Sequence, residues 1–495
     1  MRFCDWLTEL TYDVLQGDIL QEVDEVVYDS RKAKKGCVFV CMKGTKTDSH
    51  QFIPDVAARG VTAVVVEEDV PIPEGMTAVK VADARHALAI LSAARFGWPL
   101  KRMISIGVTG TKGKTTTTHM IRAILEAAGK KVGMIGTTGA MIGDEVHPTK
   151  NTTPESYELQ EYFSKMADAG CDYVVMEVSS QGIKMRRTDG ILFDYGIFTN
   201  ISPDHIGPDE HKDFEEYLYY KSRIFQMAKT GLYNKDDGHW AEIVKDAACP
   251  LYSFGTGEAD FSASDIRHVA EPGFVGMEFN VTGNGRAIDV KLGMPGLFNV
   301  HNALAAAALA GIMGISEEAV KKGLRTVSVN GRMEIVHSSE RCTVIVDYAH
   351  NAVSMESLLK TLRAYEPKRL VCVFGCGGNR SKDRRYSMGR IGGQLADLCI
   401  ITADNSRFEK TEDIIADIRS ALEPTGGAFI EIPDRKEAIE YSIQHAQPGD
   451  MIAVIGKGHE DYQEINGVRT HFLDREAIEE AVRKYCNSSA VRQDI

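Results

Sequence analysis

The chain has 495 residues, of which 43% are hydrophobic and 26% charged, with a formal net charge of −13. That length exceeds one ordinary core and points to about three domains, and no apolar run approaches the roughly 20 residues of a membrane span. The opening Met-Arg-Phe-Cys-Asp-Trp lacks a secretion signal's layout, so a cytoplasmic enzyme is expected, and the negative charge argues against nucleic acid as a partner.

From the amino end, short β-branched runs alternate with helices. Val38–Cys41 and Val61–Val66 read as strands, and Asp83 is placed to cap a helix from Ala84 to Phe96. Gly97-Trp-Pro-Leu100 ends that block. The run from Ile104 then joins a short apolar strand to a helix through Gly110-Thr-Lys-Gly-Lys-Thr-Thr116, which reads as a nucleotide phosphate cradle. Backbone amides of Gly110 to Lys114 can face phosphate oxygens, Lys114 supplies a mobile cation, and the Thr115 hydroxyl can ligate Mg²⁺. The strict phosphate-loop pattern fails because Val108 holds its first glycine position, so the loop is a variant.

The helix Thr115–Ala128 carries Met120, Ile121, Ile124 and Leu125 at helical spacing, and Asp172–Glu177 and Tyr195–Thr199 read as further buried strands. Immediately after them stand Glu177-Val-Ser-Ser180 and Thr199-Asn-Ile-Ser-Pro-Asp-His205. A shared Mg-nucleotide site would collect them, with Glu177 and Thr115 as oxygen ligands and His205 as a less usual ligand or a nearby base. Taken alone, they read equally well as a helix cap and a surface histidine. Residues 259–292 are strand-rich and suggest a small antiparallel insertion, followed by an Ala-rich helix from Val300 to Ile312. A third block from Gly331 places strands at Thr343–Val346, Leu370–Phe374, Leu398–Ile401 and Met451–Ile455 between helices.

The expected fold is therefore α/β in three domains. Residues 1–98 form the first. Residues 99–330 form a central doubly wound sheet of phosphate-loop type with the β-rich insertion, and residues 331–495 form a Rossmann-like domain. Ligands of such sheets bind beyond the carboxyl ends of the strands. The ten cysteines contain no C-x-x-C pair, which suggests neither a zinc module nor a disulfide scaffold and leaves packing roles. Gly375-Cys-Gly-Gly378 is no dinucleotide fingerprint because Arg380 fills the final glycine position. Gly456-Lys-Gly-His459 lacks the Ser or Thr of a second phosphate loop.

Gly110–Thr116, Met176–Ser180, Thr199–His205, Gly296-Leu-Phe-Asn-Val-His-Asn302, Asn330-Gly-Arg-Met-Glu334 and Asp347-Tyr-Ala-His350 together resemble the ordered motif set of the Mur ligases, across all three blocks. Within that family, Asp29-Ser-Arg31, Asn151-Thr-Thr-Pro154, Phe374-Gly-Cys-Gly-Gly378, Asp404-Asn-Ser-Arg407 and Gly456–Glu460 are similar to the branch that builds the muramyl tripeptide. The resemblance implies an ATP- and Mg²⁺-dependent amide ligase of peptidoglycan synthesis, expected to be a monomer. Its substrates would be UDP-N-acetylmuramoyl-L-alanyl-D-glutamate and a diamino acid, joined through an acyl phosphate.

By family position, the nucleotide is met by Gly110, Thr111, Lys112, Gly113, Lys114, Thr115 and Thr116, by Asn299 and Asn302 at the adenine end, and by Arg332 and Asp347 from the third domain. Domain closure would then assemble the site. Asn302 reads equally as the N-cap of the Ala-rich helix. Lys221 matches the lysine that the family carries as a carbamate, an anion able to orient a second Mg²⁺ beside Thr115, Glu177 and His205; from sequence alone it reads as a solvated helix lysine. The implied catalytic set is Lys114, Glu177, His205 and Lys221.

The muramyl nucleotide would use Ser30, Thr45, Lys46, Thr47, Asn151, Thr152, Thr153, Ser179 and Arg187, with Met185 standing where the family often has glutamine and Gln181 where it often has histidine. Arg380, Asp404, Asn405, Ser406, Arg407, Gly456 and Glu460 match the amino-acid pocket. Arg407 favours meso-diaminopimelate over L-lysine, because only the former has a distal carboxylate for a guanidinium to hold. Ser406 replaces the usual proline of that turn, which could equally be a plain polar turn. Other readings are the same ligation with L-lysine, a related ligase such as folylpolyglutamate synthetase, or a non-catalytic nucleotide-binding homologue.

Overall fold

The computed structural model describes residues 1–44, 47–208 and 210–486. The chain divides into two compact units, Met1–Ser262 with Ala305–Ser316, and Ala263–Leu304 with Glu317–Ile495.

The first unit contains two sheets. In the smaller, strands run in the order Tyr12–Gln16, Thr77–Val81, Ala63–Val66, Cys37–Val40, Glu25–Val27. All neighbours are parallel except the first pair. Val38, Val40, Val65 and Val79 are buried on one face and Phe39, Val64, Val66 and Ala78 on the other, which marks a sheet covered on both faces. The helix Ala84–Arg95 covers one of them, and Asp83 caps it by accepting the His86 amide at 2.9 Å. The larger sheet has a parallel centre in the order Leu251–Gly255, Ala228–Asn234, Phe193–Phe198, Ile104–Thr109, Tyr173–Glu177, Val132–Gly136, extended by the antiparallel Gly139–Ile142 and Glu145–His147.

Register decides where the chemistry falls. Glu177 pairs with Val108, and Phe198 with Thr109. The three central strands therefore end level, and the turns that follow them emerge side by side.

In the second unit, the β-rich segment forms Phe274–Gly283 and Arg286–Leu292, an antiparallel pair neighbouring Phe261–Glu271. Its polar anchor is Tyr365, whose hydroxyl donates to the Gly276 carbonyl at 3.0 Å and accepts the Gly296 amide at 3.2 Å. This segment thus packs with the C-terminal block. The main sheet runs Glu334–Ser338, Cys342–Asp347, Asp450–Ile455, Arg369–Phe374, Leu398–Ile401, Phe429–Glu431, parallel apart from its first, antiparallel pair. The Ala-rich helix spans Leu297–Ile312, one turn earlier than its alanines suggest. Asn302 therefore lies inside the helix, which overturns its reading as the N-cap.

Arg435 and Asp474 form a fully buried ion pair with contacts of 2.7 and 2.8 Å. The same guanidinium donates to the carbonyls of Ala403 and Ile455. These carbonyls immediately precede Asp404 and Gly456, so one buried cation ties two sheet-edge turns to the start of the terminal helix Asp474–Tyr485.

Candidate active site

On the first unit, the turn after Ile104–Thr109 is held by the turn after Phe193–Phe198. The Thr111 amide donates to the Asn200 carbonyl at 2.8 Å, the Lys112 amide to Asn200 Oδ1 at 2.9 Å, and Thr199 Oγ1 to the Lys112 carbonyl at 2.8 Å. Two amides expected to face phosphate are thus engaged with Asn200. The backbones approach closely because residue 110 is glycine: a Cβ there would lie 2.0 Å from Thr199 Oγ1. Gly113 (φ 86°) precedes the helix Lys114–Ala127, whose positive end and first-turn residues Thr115 and the buried Thr116 start at this edge.

Lys114 Nζ donates to the carbonyls of Gly110 at 2.9 Å and Thr111 at 3.2 Å. Lys221 Nζ donates to the same Gly110 carbonyl at 2.6 Å and is 1% exposed, so the solvated-helix reading of this lysine is overturned. Burial, with Lys114 nearby, pulls its pKa well down, which favours a neutral amine. Tyr217, one turn earlier on the same helix, sets its ring 4.6 Å from Lys221 Nζ and its hydroxyl 3.0 Å from Thr111 Oγ1. Burial pushes the Tyr217 phenol up to about 12, so it stays a neutral partner.

Glu177 is buried at its strand's end, accepting from Thr115 Oγ1 at 3.0 Å, the Thr137 amide at 2.8 Å and Thr137 Oγ1 at 3.3 Å. A Cβ on Gly136 would come within 2.2 Å of this carboxylate, so only glycine admits it. Thr115 and Glu177 thus form a paired hydroxyl and carboxylate of the kind Mg²⁺ accepts. His205 is placed differently. It adopts left-handed backbone (φ 54°), is half exposed, and its Nδ1 meets Glu210 at 2.8 Å, a carboxylate contact of the kind that orients an imidazole.

The residues expected to hold the muramyl nucleotide fall partly into one network. Thr153 Oγ1 donates to the Glu177 carbonyl and accepts the Ser179 amide, and Ser179 Oγ caps the next helix at Gly182. Arg187 donates to the Thr153 carbonyl at 3.1 Å and pairs with Glu155 at 2.6 Å. Thr152 meets Thr137 through hydroxyls 3.2 Å apart. Asn151 is exposed beside them, and Met185 ends the helix Ser180–Lys184. Ser30 begins a short helical turn capped by Asp29, and Thr47 is exposed. Thr45 and Lys46 lie outside the described residues.

On the second unit, the turns after Leu398–Ile401 and Asp450–Ile455 build a polar pocket. Asn405 Nδ2 donates to Glu460 Oε2 at 2.9 Å, Asn405 Oδ1 accepts the Glu464 amide at 2.9 Å, and Tyr348 donates to Glu460 at 3.4 Å. Asp404 stands against Gly456, where a Cβ would lie 2.7 Å from its carboxylate. Buried Ser406 joins its hydroxyl to Thr411 at 2.7 Å. Arg407 is left-handed (φ 52°) and donates to the Gly378 carbonyl at 2.7 Å, with Arg380 exposed on the adjoining turn.

Arg332 lies over the Tyr348 ring at 5.0 Å, and Asp347 accepts the Met333 and Ala349 amides, each at 2.8 Å. Burial raises the Asp347 carboxyl despite those amides. The buried Asn299 donates to the Pro295 carbonyl, and Asn302 to Asn299 Oδ1.

Three residues escaped the sequence reading. Lys457, fully buried, reaches Glu460 at 3.4 Å and the Tyr462 carbonyl. Tyr217 braces the phosphate turn. His211, also buried, sets Nε2 2.9 Å from Ser180 Oγ. Its only available sequence signal was a second histidine following His205 closely.

A parallel sheet whose level strand ends unite a glycine turn, two lysines, and a hydroxyl–carboxylate pair defines an enzyme that acts on nucleotide phosphate. Three family models match: Mur ligase family, catalytic domain, over residues 22–96; Mur ligase middle domain over 108–310; and Mur ligase, glutamate ligase domain, over 331–458. The chain belongs to the Mur ligase family, a family of ATP-dependent ligases. It is 39% identical to the UDP-N-acetylmuramoyl-L-alanyl-D-glutamate–2,6-diaminopimelate ligase of Caldanaerobacter subterraneus, over 97% of this chain and 98% of that protein. It is 41% identical to the Clostridium perfringens protein of the same name, over 95% and 97%. A solved structure of a ligase with that name superposes with a TM-score of 0.77 at 28% identity, covering 98% of this chain and 99% of the other.

Proposed function

We propose that this protein uses ATP to join meso-diaminopimelate to UDP-N-acetylmuramoyl-L-alanyl-D-glutamate in peptidoglycan synthesis. The observation that carries the reading is the convergence of Lys114, Thr115, Glu177 and Lys221 on one sheet edge, in a chain similar end to end to ligases of that name. A carboxylate resists amines because oxide is a poor leaving group. The glutamate carboxylate oxygen therefore attacks the γ-phosphorus, the bond to the β-phosphate oxygen breaks, and ADP leaves. The amine then attacks the acyl carbon of the resulting acyl phosphate, phosphate departs with the bonding pair, and the amine's proton passes to solvent or a nearby base.

Lys114 and the helix amides stabilise the charge that gathers on the transferring oxygens. Thr115 Oγ1 and Glu177, 3.0 Å apart, are an oxygen pair suited to Mg²⁺, which would neutralise phosphate charge when bound. Lys221 is assigned as a carbamate: its neutral Nζ lone pair attacks carbon dioxide, a proton leaves to solvent, and a neutral amine becomes an anion. His205 is assigned to the same centre by family position. Arg332, Asp347, Asn299 and Asn302 are assigned to the nucleotide. Ser30, Asn151, Thr152, Thr153, Ser179 and Arg187 are assigned to the muramyl nucleotide. Arg407 would hold the distal carboxylate of diaminopimelate, with Glu460 receiving its ammonium. Residues 1–98, 99–330 and 331–495 are assigned to the muramyl nucleotide, ATP and amino acid respectively.

The test is ADP release by purified protein given the UDP-muramyl dipeptide and either meso-diaminopimelate or L-lysine. Release dependent on diaminopimelate is expected, and Lys114→Ala should lower kcat by roughly 10²–10³-fold. A preference for L-lysine would overturn the Arg407 assignment, and undiminished ligation by Lys114→Ala would overturn the mechanism.

A further inference from the structure

We infer that His337, Cys342 and Cys486 form a site for a soft or borderline divalent cation of the zinc class, far along the chain from the phosphate turn. One ring nitrogen and two sulfurs lie within 4.8 Å of one another, the single such grouping of His, Cys, Asp or Glu among the described residues. Two sulfurs sharing one zinc ion stand at most about 4.6 Å apart, twice the ~2.3 Å bond length. The 4.8 Å envelope of the three donors is close to that span, so small side-chain adjustments bring them onto one ion. Apolar filling accounts for two thiols packed together, but not for an imidazole at the same point.

The fold builds this grouping from three separate places. His337 lies on the outer strand Glu334–Ser338, Cys342 opens the neighbouring strand, and Cys486 is the first residue after the terminal helix. The intervening hairpin turn holds the third donor in position. Its Arg341 donates to the Tyr485 carbonyl at 2.8 Å, to Gln444 at 2.7 Å and to Ala446 at 3.2 Å, fixing the backbone next to Cys486. Ser339, in the same turn, places its hydroxyl 3.0 Å from His337 Nε2, an outer contact of the kind that orients a ligating imidazole.

Cys342 is buried while His337 and Cys486 are half-buried, so an ion has both an entry path and a solvent-facing fourth position. On binding, each thiol gives its proton to solvent as its sulfur–metal bond forms. Arg475 already pairs with Glu334 at 2.7 Å near the helix's other end, so the ion would clasp the remaining end to the same strand.

The experiment is a cobalt(II) titration of the full-length, reduced protein, followed through its thiolate-to-metal charge-transfer absorption. One equivalent should develop the band, zinc should abolish it, and zinc should raise the thermal midpoint. Cys486→Ser, at a half-exposed position, should fold and keep ligase activity. Its metal affinity should fall by more than the roughly 10–100-fold typical of losing an outer contact, and zinc should leave its midpoint unmoved. His337→Gln should behave alike. No charge-transfer band in the wild type, or an unchanged band in Cys486→Ser, overturns the proposal.

Discussion

Arg407 combines a guanidinium with a left-handed backbone (φ 52°) that a non-glycine residue adopts only at a cost of about 1–3 kcal/mol. The two properties can be separated by substitution. Arg407→Gly should remove the strain while discarding the charge, leaving the thermal midpoint unchanged or higher and lowering discrimination for diaminopimelate over lysine by roughly 1–3 kcal/mol. Competition between the two amines in one assay reads this directly. Lys221 invites the complementary measurement. Its pKa lies well below the ordinary 10.5, so between the two values the unfolded chain binds a proton that the native chain does not, and stability rises with pH. Lys221→Met should remove that slope while abolishing ligation. Lys221→Ala should regain part of its activity when a small amine and bicarbonate are supplied together, and full unsupplemented activity would remove the carbamate assignment.

The helix Phe214–Ser222 carries Tyr217 and Lys221 one turn apart on its buried face, and His211 lies just before it. Burial, followed by Lys184, holds the His211 pKa below its ordinary 6.5. As pH falls through that value, the unfolded chain takes up a proton that the native chain refuses, so stability drops. Facing it are Lys184, Glu216 and Lys221, and the lowered value shows that the cations and burial outweigh the carboxylate. His211→Asn should flatten the thermal midpoint between about pH 8 and pH 5, and an unchanged acid slope would assign the loss elsewhere. Strands such as Leu398–Ile401 and the Asp83 helix cap were legible because their signals are local: β-branched runs and a capping carboxylate. The motif residues around the phosphate turn were legible for the same reason. The burial of Lys221, His211 and Lys457 was not, because neighbours distant in sequence create it. The Leu297 helix start was hidden because its alanines begin only at Ala303.

In the second unit, the Arg435–Asp474 pair is a fully buried long-range polar tie. Arg435→Leu leaves Asp474 charged and uncompensated, at a cost of about 3–5 kcal/mol, whereas the double replacement with leucine should recover much of it. Denaturant midpoints of the three variants measure this, and an Arg435→Leu variant as stable as the wild type would show the pair to be idle. Because the lost guanidinium also releases the carbonyls of Ala403 and Ile455, the KM for the diamine should rise more than that for ATP. The helix anchored by Asp474 runs on to Tyr485, whose carbonyl Arg341 holds. A bulky fusion or surface tether placed there pulls on the same lever that sets the two recognition turns, so it should blunt the choice between amines before it slows nucleotide turnover.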